Sequence, residues 1–174
     1  MSTRTSAPCR SPFRAPLLRT PVLRDAARIS ELASRLHELD RYAGYLYLLL
    51  CDHFRESCAI AEDGGELVGF VTGYRKPAQP DTLFIWQVGT APSARGRGVA
   101  GALLEQVLRQ QPDVRYLETT VTADNQASRR LFAGLARRHG VPLCELTGYG
   151  AELFALSHQA EPLLRLGAFA RRIS

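Results

Sequence analysis

The chain has 174 residues, 45% of them hydrophobic and 22% charged, with a formal net charge of +5. That length and balance suit one ordinary domain with a real core, and they exclude the collagenous, disordered and disulfide-scaffold classes. The longest apolar run, Tyr45–Cys51, has seven residues against the roughly twenty of a bilayer-spanning helix, so no membrane partner is expected.

Residues 1–16 carry three prolines with scattered Arg and Ser and no apolar h-region; a disordered tail, not a secretory signal, is expected there. A single domain is expected over residues 17–168, with 169–174 as a short C-terminal tail. Asp25 opens a helical pattern, with Ile29, Leu32, Leu36 and Leu39 on one face. A second helix is expected from about Tyr42 to Phe54. A hairpin follows: Cys58–Glu62, the turn Asp63-Gly64-Gly65, then Glu66–Tyr74. Pro77 and Pro80 mark a loop, and Thr82–Gly89 reads as a strand. A Gly/Arg-rich turn at Arg95–Gly98 leads into a helix ending near Gln110. Arg115–Thr122 reads as a strand, and Asp124 and Asn125 cap a helix that turns Leu131, Phe132, Leu135 and Ala136 inward. Two helices and antiparallel strands thus precede a strand–helix–strand–helix unit, an α/β (α+β) arrangement. Cys9, Cys51, Cys58 and Cys144 show no metal or redox spacing; reduced thiols, a cytoplasmic location and no metal are expected.

Residues 95–101, Arg-Gly-Arg-Gly-Val-Ala-Gly, carry the most chemistry. They follow a strand and open a helix, whose N-terminus leaves backbone N–H groups unpaired and carries partial positive charge. Glycines let a phosphate approach the backbone, and Arg95 and Arg97 add guanidinium forks. Only Lys76 among the 22 basic residues is lysine; the arginine excess fits anion recognition and equally a codon-biased genome. A diphosphate site is expected, in a small ligand and not in nucleic acid. Gly96, Gly98 and Gly101 also spell the dinucleotide fingerprint, with Glu118 further on. Context disfavours that reading: too little chain follows for further βα repeats, and Glu118 lies inside its strand, not at its carboxyl end.

Arg95-x-x-Gly98-x-Ala100 also resembles the pyrophosphate loop of the GNAT acyltransferases, and the element order matches that superfamily. The resemblance narrows through Gly69–Pro77, Phe84–Val88, Pro92–Gly98, Tyr116–Thr122, Tyr45–Cys51 with Phe54, and Asn125-x-x-Ser128-Arg129-x-Leu131-Phe132. These segments, threaded over residues 18–167, resemble the diaminobutyrate acetyltransferases of ectoine biosynthesis. The resemblance implies a central mixed, mostly antiparallel sheet flanked by helices and splayed at the cofactor strand. It implies acetyl transfer from acetyl-CoA to the γ-amine of L-2,4-diaminobutyrate, and it makes a homodimer the expected state. For the cofactor it implies the backbone of Gln87, Val88 and Gly89, the loop Arg95, Gly96, Arg97, Gly98, Val99 and Ala100, and Asn125 with Ser128. Two departures stand out. Phe132 occupies the place of a tyrosine thought to protonate the leaving thiolate in many relatives, and Gly89-Thr90 interrupts an apolar strand.

An amine attacks a thioester only as its free base, so a base must take a proton directly or through water. Asp40, beside Tyr42 and Tyr45 where the superfamily places its acceptor loop, is expected to pair an ammonium, with Tyr45 at the pocket. Trp86 offers an indole face to the aliphatic chain and an ammonium. Glu161, in His158-x-x-Glu161, is expected to position or deprotonate the amine, with His158 beside it. Glu118, mid-strand, is a further candidate base. Arg75 or Lys76 is a candidate partner for the substrate carboxylate.

Overall fold

Strand alternation in the middle of the chain becomes one seven-stranded sheet. The computed structural model describes residues 15–36, 44–154 and 158–170. The expected N-terminal tail as far as residue 14, the segment 37–43 with Leu39, Asp40 and Tyr42, and the last four residues lie outside the described residues.

In chain order the elements are β1 (Leu17–Arg19), α1 (Asp25–Ser34), α2 (Gly44–Asp52), β2 (Ala59–Asp63), β3 (Glu66–Lys76), β4 (Gln79–Thr90), α3 (Val99–Gln110), β5 (Tyr116–Thr120), α4 (Gln126–His139), β6 (Leu143–Tyr149) and β7 (Glu161–Gly167). The sheet order is β1-β2-β3-β4-β5-β7-β6. Every neighbouring pair is antiparallel except β4 with β5. This is the mixed, mostly antiparallel sheet expected from the sequence.

Period-two alternation sends successive side chains to opposite faces. Ile60 and Phe70 pack with Ile29, Leu32 and Tyr47 under α1 and α2. Their neighbours Ala59, Ala61 and Val71 pack with Leu103, Leu104 and Leu135 under α3 and α4. Gly64 and Gly65 close the β2–β3 hairpin with positive φ of 60° and 88°, the backbone that favours a two-residue turn of glycines.

Two expectations change. The loop marked by Pro77 and Pro80 shrinks to Pro77-Ala78, and β4 already begins at Gln79. Pro80 is tolerated inside β4 because the ladder jumps from Lys76↔Gln79 to Arg75↔Leu83, leaving its missing N–H with no bond to make. Gly89 and Thr90 do not interrupt β4; they pair with Phe70 and Gly69. The irregularity falls instead at Trp86, since Thr72 opposes Gln87 while Gly73 opposes Ile85. Trp86 is therefore the extra residue of a β-bulge.

Two features of this sheet make a site. Pairing between β4 and β5 covers only Thr82–Phe84 against Tyr116–Glu118. Beyond it the two strands diverge, β4 running on to Thr90 and β5 continuing its ladder with β7. The gap opens beside the bulge.

Candidate active site

The divergence leaves a cleft of about 260 Å³ walled by Trp86 and Val88 of β4, Thr120 of β5, Phe132 of α4, and His158 with Glu161. It adjoins a second hollow of about 350 Å³ that shares Val88, Asn125 and Ser128 and adds Gly89, Arg95 and Ala100. One trough therefore runs from Glu161 along the free edge of β4 to the start of α3.

At the α3 end lies the Gly/Arg loop. Gly96 and Gly98 hold φ of 73° and 76°, and Gly98 is the residue from which α3 begins. The first intrahelical bond runs from the Ala102 N–H to the Gly98 carbonyl, at 3.0 Å. The amides of Val99, Ala100 and Gly101 thus have no helical acceptor and lie at the positive end of the helix. Arg95 is exposed beside the hollow. Arg97 forms an ion pair with Asp63 at 3.0 Å, fastening the loop to the β2–β3 hairpin. The Val99 side chain is buried in the core, so only its backbone is available to a ligand. Asn125 spends Oδ1 on capping α4, accepting the Ser128 N–H at 3.0 Å, while both residues face the trough.

At the other end, the bulge turns Trp86 and Gln87 toward α2. The Tyr47 hydroxyl donates to Gln87 Oε1 at 2.9 Å, and the Tyr47 ring lies 5.9 Å from the Trp86 ring. Gln87 is thus held by a buried hydroxyl, leaving its backbone on the trough. Glu161 begins β7, with Oε2 accepting a hydrogen bond from the Thr120 hydroxyl and Oε1 3.7 Å from His158 Nε2. The His158 ring stacks on Phe154 at a centroid distance of 4.1 Å. His158 Nδ1 lies 2.6 Å from the Gln159 carbonyl oxygen, an acceptor to which it can only donate. Nε2 is then the nitrogen that meets the carboxylate.

Of the substrate-side candidates, the structure brings Trp86, His158 and Glu161 to the cleft. Asp40 lies outside the described residues. Tyr45 is 68% exposed on α2 while Tyr47, two residues on, is the inward tyrosine. Glu118 is buried outside the cleft lining, bound to Lys76 Nζ at 2.8 Å, with Arg165 Nη1 at 3.5 Å. That arrangement is an ion cluster in the sheet, at the last β4–β5 pair before the splay. Arg75 is engaged by Asp113, Gln111 and the Pro80 carbonyl, and Lys76 by Glu118. The sequence reading passed over Tyr47 and Thr120; alternation from Glu118 along the same strand was the signal for Thr120. Among the described residues no cluster of His, Cys, Asp or Glu could hold a metal ion.

The profile described as Acetyltransferase (GNAT) family matches residues 23–135. An L-2,4-diaminobutyric acid acetyltransferase from Bordetella parapertussis is 45% identical over 156 residues, spanning 87% of this chain and 84% of that protein. The chain belongs to the diaminobutyrate acetyltransferase family, within the GNAT superfamily. A second member, from Chromohalobacter salexigens, is likewise 45% identical, over 87% of this chain and 81% of its own. The diaminobutyrate acetyltransferase of Paenibacillus lautus, solved with its substrate L-2,4-diaminobutyric acid and coenzyme A, superposes with a TM-score of 0.86. It is 42% identical, covering 91% of this chain and 98% of that one. The ribosomal-protein-S18-alanine N-acetyltransferase of Escherichia coli, at 15% identity and a TM-score of 0.68, shares the fold.

Proposed function

We propose that the protein is an acetyl-CoA-dependent N-acetyltransferase that acetylates the γ-amine of L-2,4-diaminobutyrate, the step that precedes ring closure to ectoine. The observation that carries the reading is the continuity of the trough: an anion-binding loop at one end and a carboxylate beside an indole at the other, joined along the free edge of β4.

Acetyl-CoA fits the residues present and supplies the activated acetyl thioester. Its diphosphate suits the unpaired amides of α3 and the Arg95 guanidinium, and its pantetheine arm suits the free backbone edge of Val88 and Gly89. Backbone N–H groups around the Trp86 bulge are donors for the negative charge that develops on the acyl oxygen, fixed before the reaction begins. Trp86 packs the aliphatic chain and one ammonium, Glu161 draws in the reacting amine and accepts its proton, and His158 stands beside that carboxylate. Asp40 is the proposed partner of the other ammonium. The amine is itself the nucleophile, so no covalent enzyme intermediate is required. Thiolate protonation falls to water or to a cleft hydroxyl, since Phe132 has none.

The same reading includes a homodimer, supported by the exposed apolar residues Tyr45 and Leu48 on α2, Tyr149 at the end of β6 and Leu153 after it. It also includes a cytoplasmic location, where acetyl-CoA is available. Thiol release from acetyl-CoA with L-2,4-diaminobutyrate, ornithine, lysine and spermidine tests the substrate: diaminobutyrate is expected to be strongly preferred. Preference for another of these amines would keep the fold and donor and overturn the acceptor.

A further inference from the structure

We propose that Thr120 is a positioning residue for Glu161: its hydroxyl takes one carboxylate oxygen so that the other faces the substrate amine. The inference rests on the reading of the cleft given above and extends it to a residue that does not itself react.

The need for such a residue comes from where Glu161 sits. The β5–β7 ladder ends at Thr120↔Leu163, two residues short of Glu161. Beyond it the backbone is tied by the Val121 N–H on the Pro162 carbonyl, at 3.1 Å, and by the register Tyr149↔Glu161 with β6. A glutamate at the start of a strand has three side-chain torsions to lose before its carboxylate is placed. Two side chains flank that carboxylate. Thr120 Oγ1 donates to Oε2, and His158 Nε2 stands 3.7 Å from Oε1. His158 is braced in turn by its stack on Phe154 and by its Nδ1 contact with the Gln159 carbonyl. A threonine hydroxyl has one hydrogen to give, and here it is given to Oε2. Oε1, which at 3.7 Å from His158 Nε2 lies beyond hydrogen-bond distance, is the oxygen we assign to the incoming amine. Fixing which oxygen reacts fixes where the amine nitrogen stands relative to Trp86, and small misplacements of a reacting atom are expensive.

Thr120→Val keeps the shape and the β-branch and removes only the hydroxyl; Thr120→Ser restores it. Steady-state kinetics of wild type, both variants, Glu161→Gln and the Thr120→Val/Glu161→Gln double variant form the test, with melting temperatures to establish folding. For Thr120→Val, kcat/KM for the amine is expected to fall about 10- to 100-fold, with KM for acetyl-CoA within about twofold of wild type. Thr120→Ser should recover to within about threefold, and Thr120→Val should cost less than about twofold in the Glu161→Gln background. Wild-type rates in Thr120→Val, no rescue by Ser, or an undiminished loss in the Glu161→Gln background would each overturn the proposal. Should Thr120→Val fail to fold, Thr120→Ala replaces it under the same criteria. If the wild type ignores diaminobutyrate, the substrate reading fails and the comparison is run on whichever amine it does acetylate. If it acetylates none, the crystal structure of Thr120→Val decides: a Glu161 carboxylate turned from its wild-type position upholds the positioning role, and an unmoved one refutes it.

Discussion

Glu161 separates the two jobs of the trough at the scale of single residues. Glu161→Gln keeps the size and the hydrogen bond from Thr120 but cannot accept a proton. We expect kcat/KM for diaminobutyrate to fall by at least about 100-fold, the lower range for a positioned base, with KM for acetyl-CoA little changed. Steady-state kinetics in both substrates check this, and a parallel loss in both would contradict it. The two loop arginines separate in the same way. Arg95→Ala is expected to raise KM for acetyl-CoA about tenfold. Arg97→Ala acts chiefly through the lost ion pair with Asp63 and should raise it less. Both arginines look alike in the sequence, because a Gly/Arg repeat says nothing about which guanidinium an acidic hairpin will claim. The place of Trp86 beside the cleft was legible from its strand, and that of His158 and Glu161 only through the family resemblance. Tyr47 was not: in Tyr45–Leu50 every side chain is apolar or aromatic, so no helical stripe shows which tyrosine turns inward.

The elements that carry the site are held by close approach of backbone. Gly73 lies opposite the Trp86 bulge, where a Cβ would meet the Phe84 carbonyl oxygen within van der Waals contact. Gly148 lies opposite the start of β7, where a Cβ would collide with the Glu161 carbonyl oxygen. Neither has a positive φ, so what glycine provides at both is space. Gly148→Ala is expected to push the start of β7 aside, lowering the melting temperature and raising KM for the amine, whereas Gly73→Ala should disturb the bulge and lower kcat. Overpacking of this kind costs about 1–3 kcal/mol, readable by urea titration. The β2–β3 hairpin was legible because Asp63-Gly64-Gly65 supplies the turn chemistry between two apolar runs. The extent of β4 was not, because Pro80 reads as a breaker and only the skipped ladder makes it harmless. β6 and β7 escaped for another reason. β6 is an edge strand whose residues are nearly all exposed, so it lacks the alternation that a buried face imposes, and β7 finds its place between β5 and β6 only through long-range pairing.

Over the whole molecule, one buried ion network ties the start of the described chain to the sheet. Asp25 accepts from Arg19 Nη1 at 2.6 Å and Arg28 Nη1 at 3.1 Å, and the same arginines reach Glu62 at 2.9 and 2.6 Å. β1, α1 and β2 are thereby joined. Burial pushes the Asp25 carboxyl up. The hydrogen bonds from Arg19, the Val22 N–H and Arg28, with the charge of Arg19, outweigh it and hold the group at about 2. A carboxyl held below its unfolded value of about 3.9 stabilises the fold above that value. The contribution is lost as pH falls from about 4 through about 2. Asp25→Asn should therefore lower stability at pH 7 by about 3 kcal/mol, the scale for stripping one partner from a buried ion pair. The deficit should shrink toward pH 2; urea titrations at pH 7, 4 and 2.5 measure it. Burial likewise pushes the thiols of Cys51 and Cys58 up to about 11 and 12, so both should resist alkylation in the native state while exposed Cys144 reacts.

The central claim is that this trough directs acetyl to one particular nitrogen of a diamino acid. The most direct measurement is the structure of the product formed from acetyl-CoA and L-2,4-diaminobutyrate by the wild-type protein, by NMR and fragmentation mass spectrometry. The account predicts a single product, acetylated on the γ-nitrogen. Acetylation at the α-nitrogen, a mixture of both, or no product at all would contradict it.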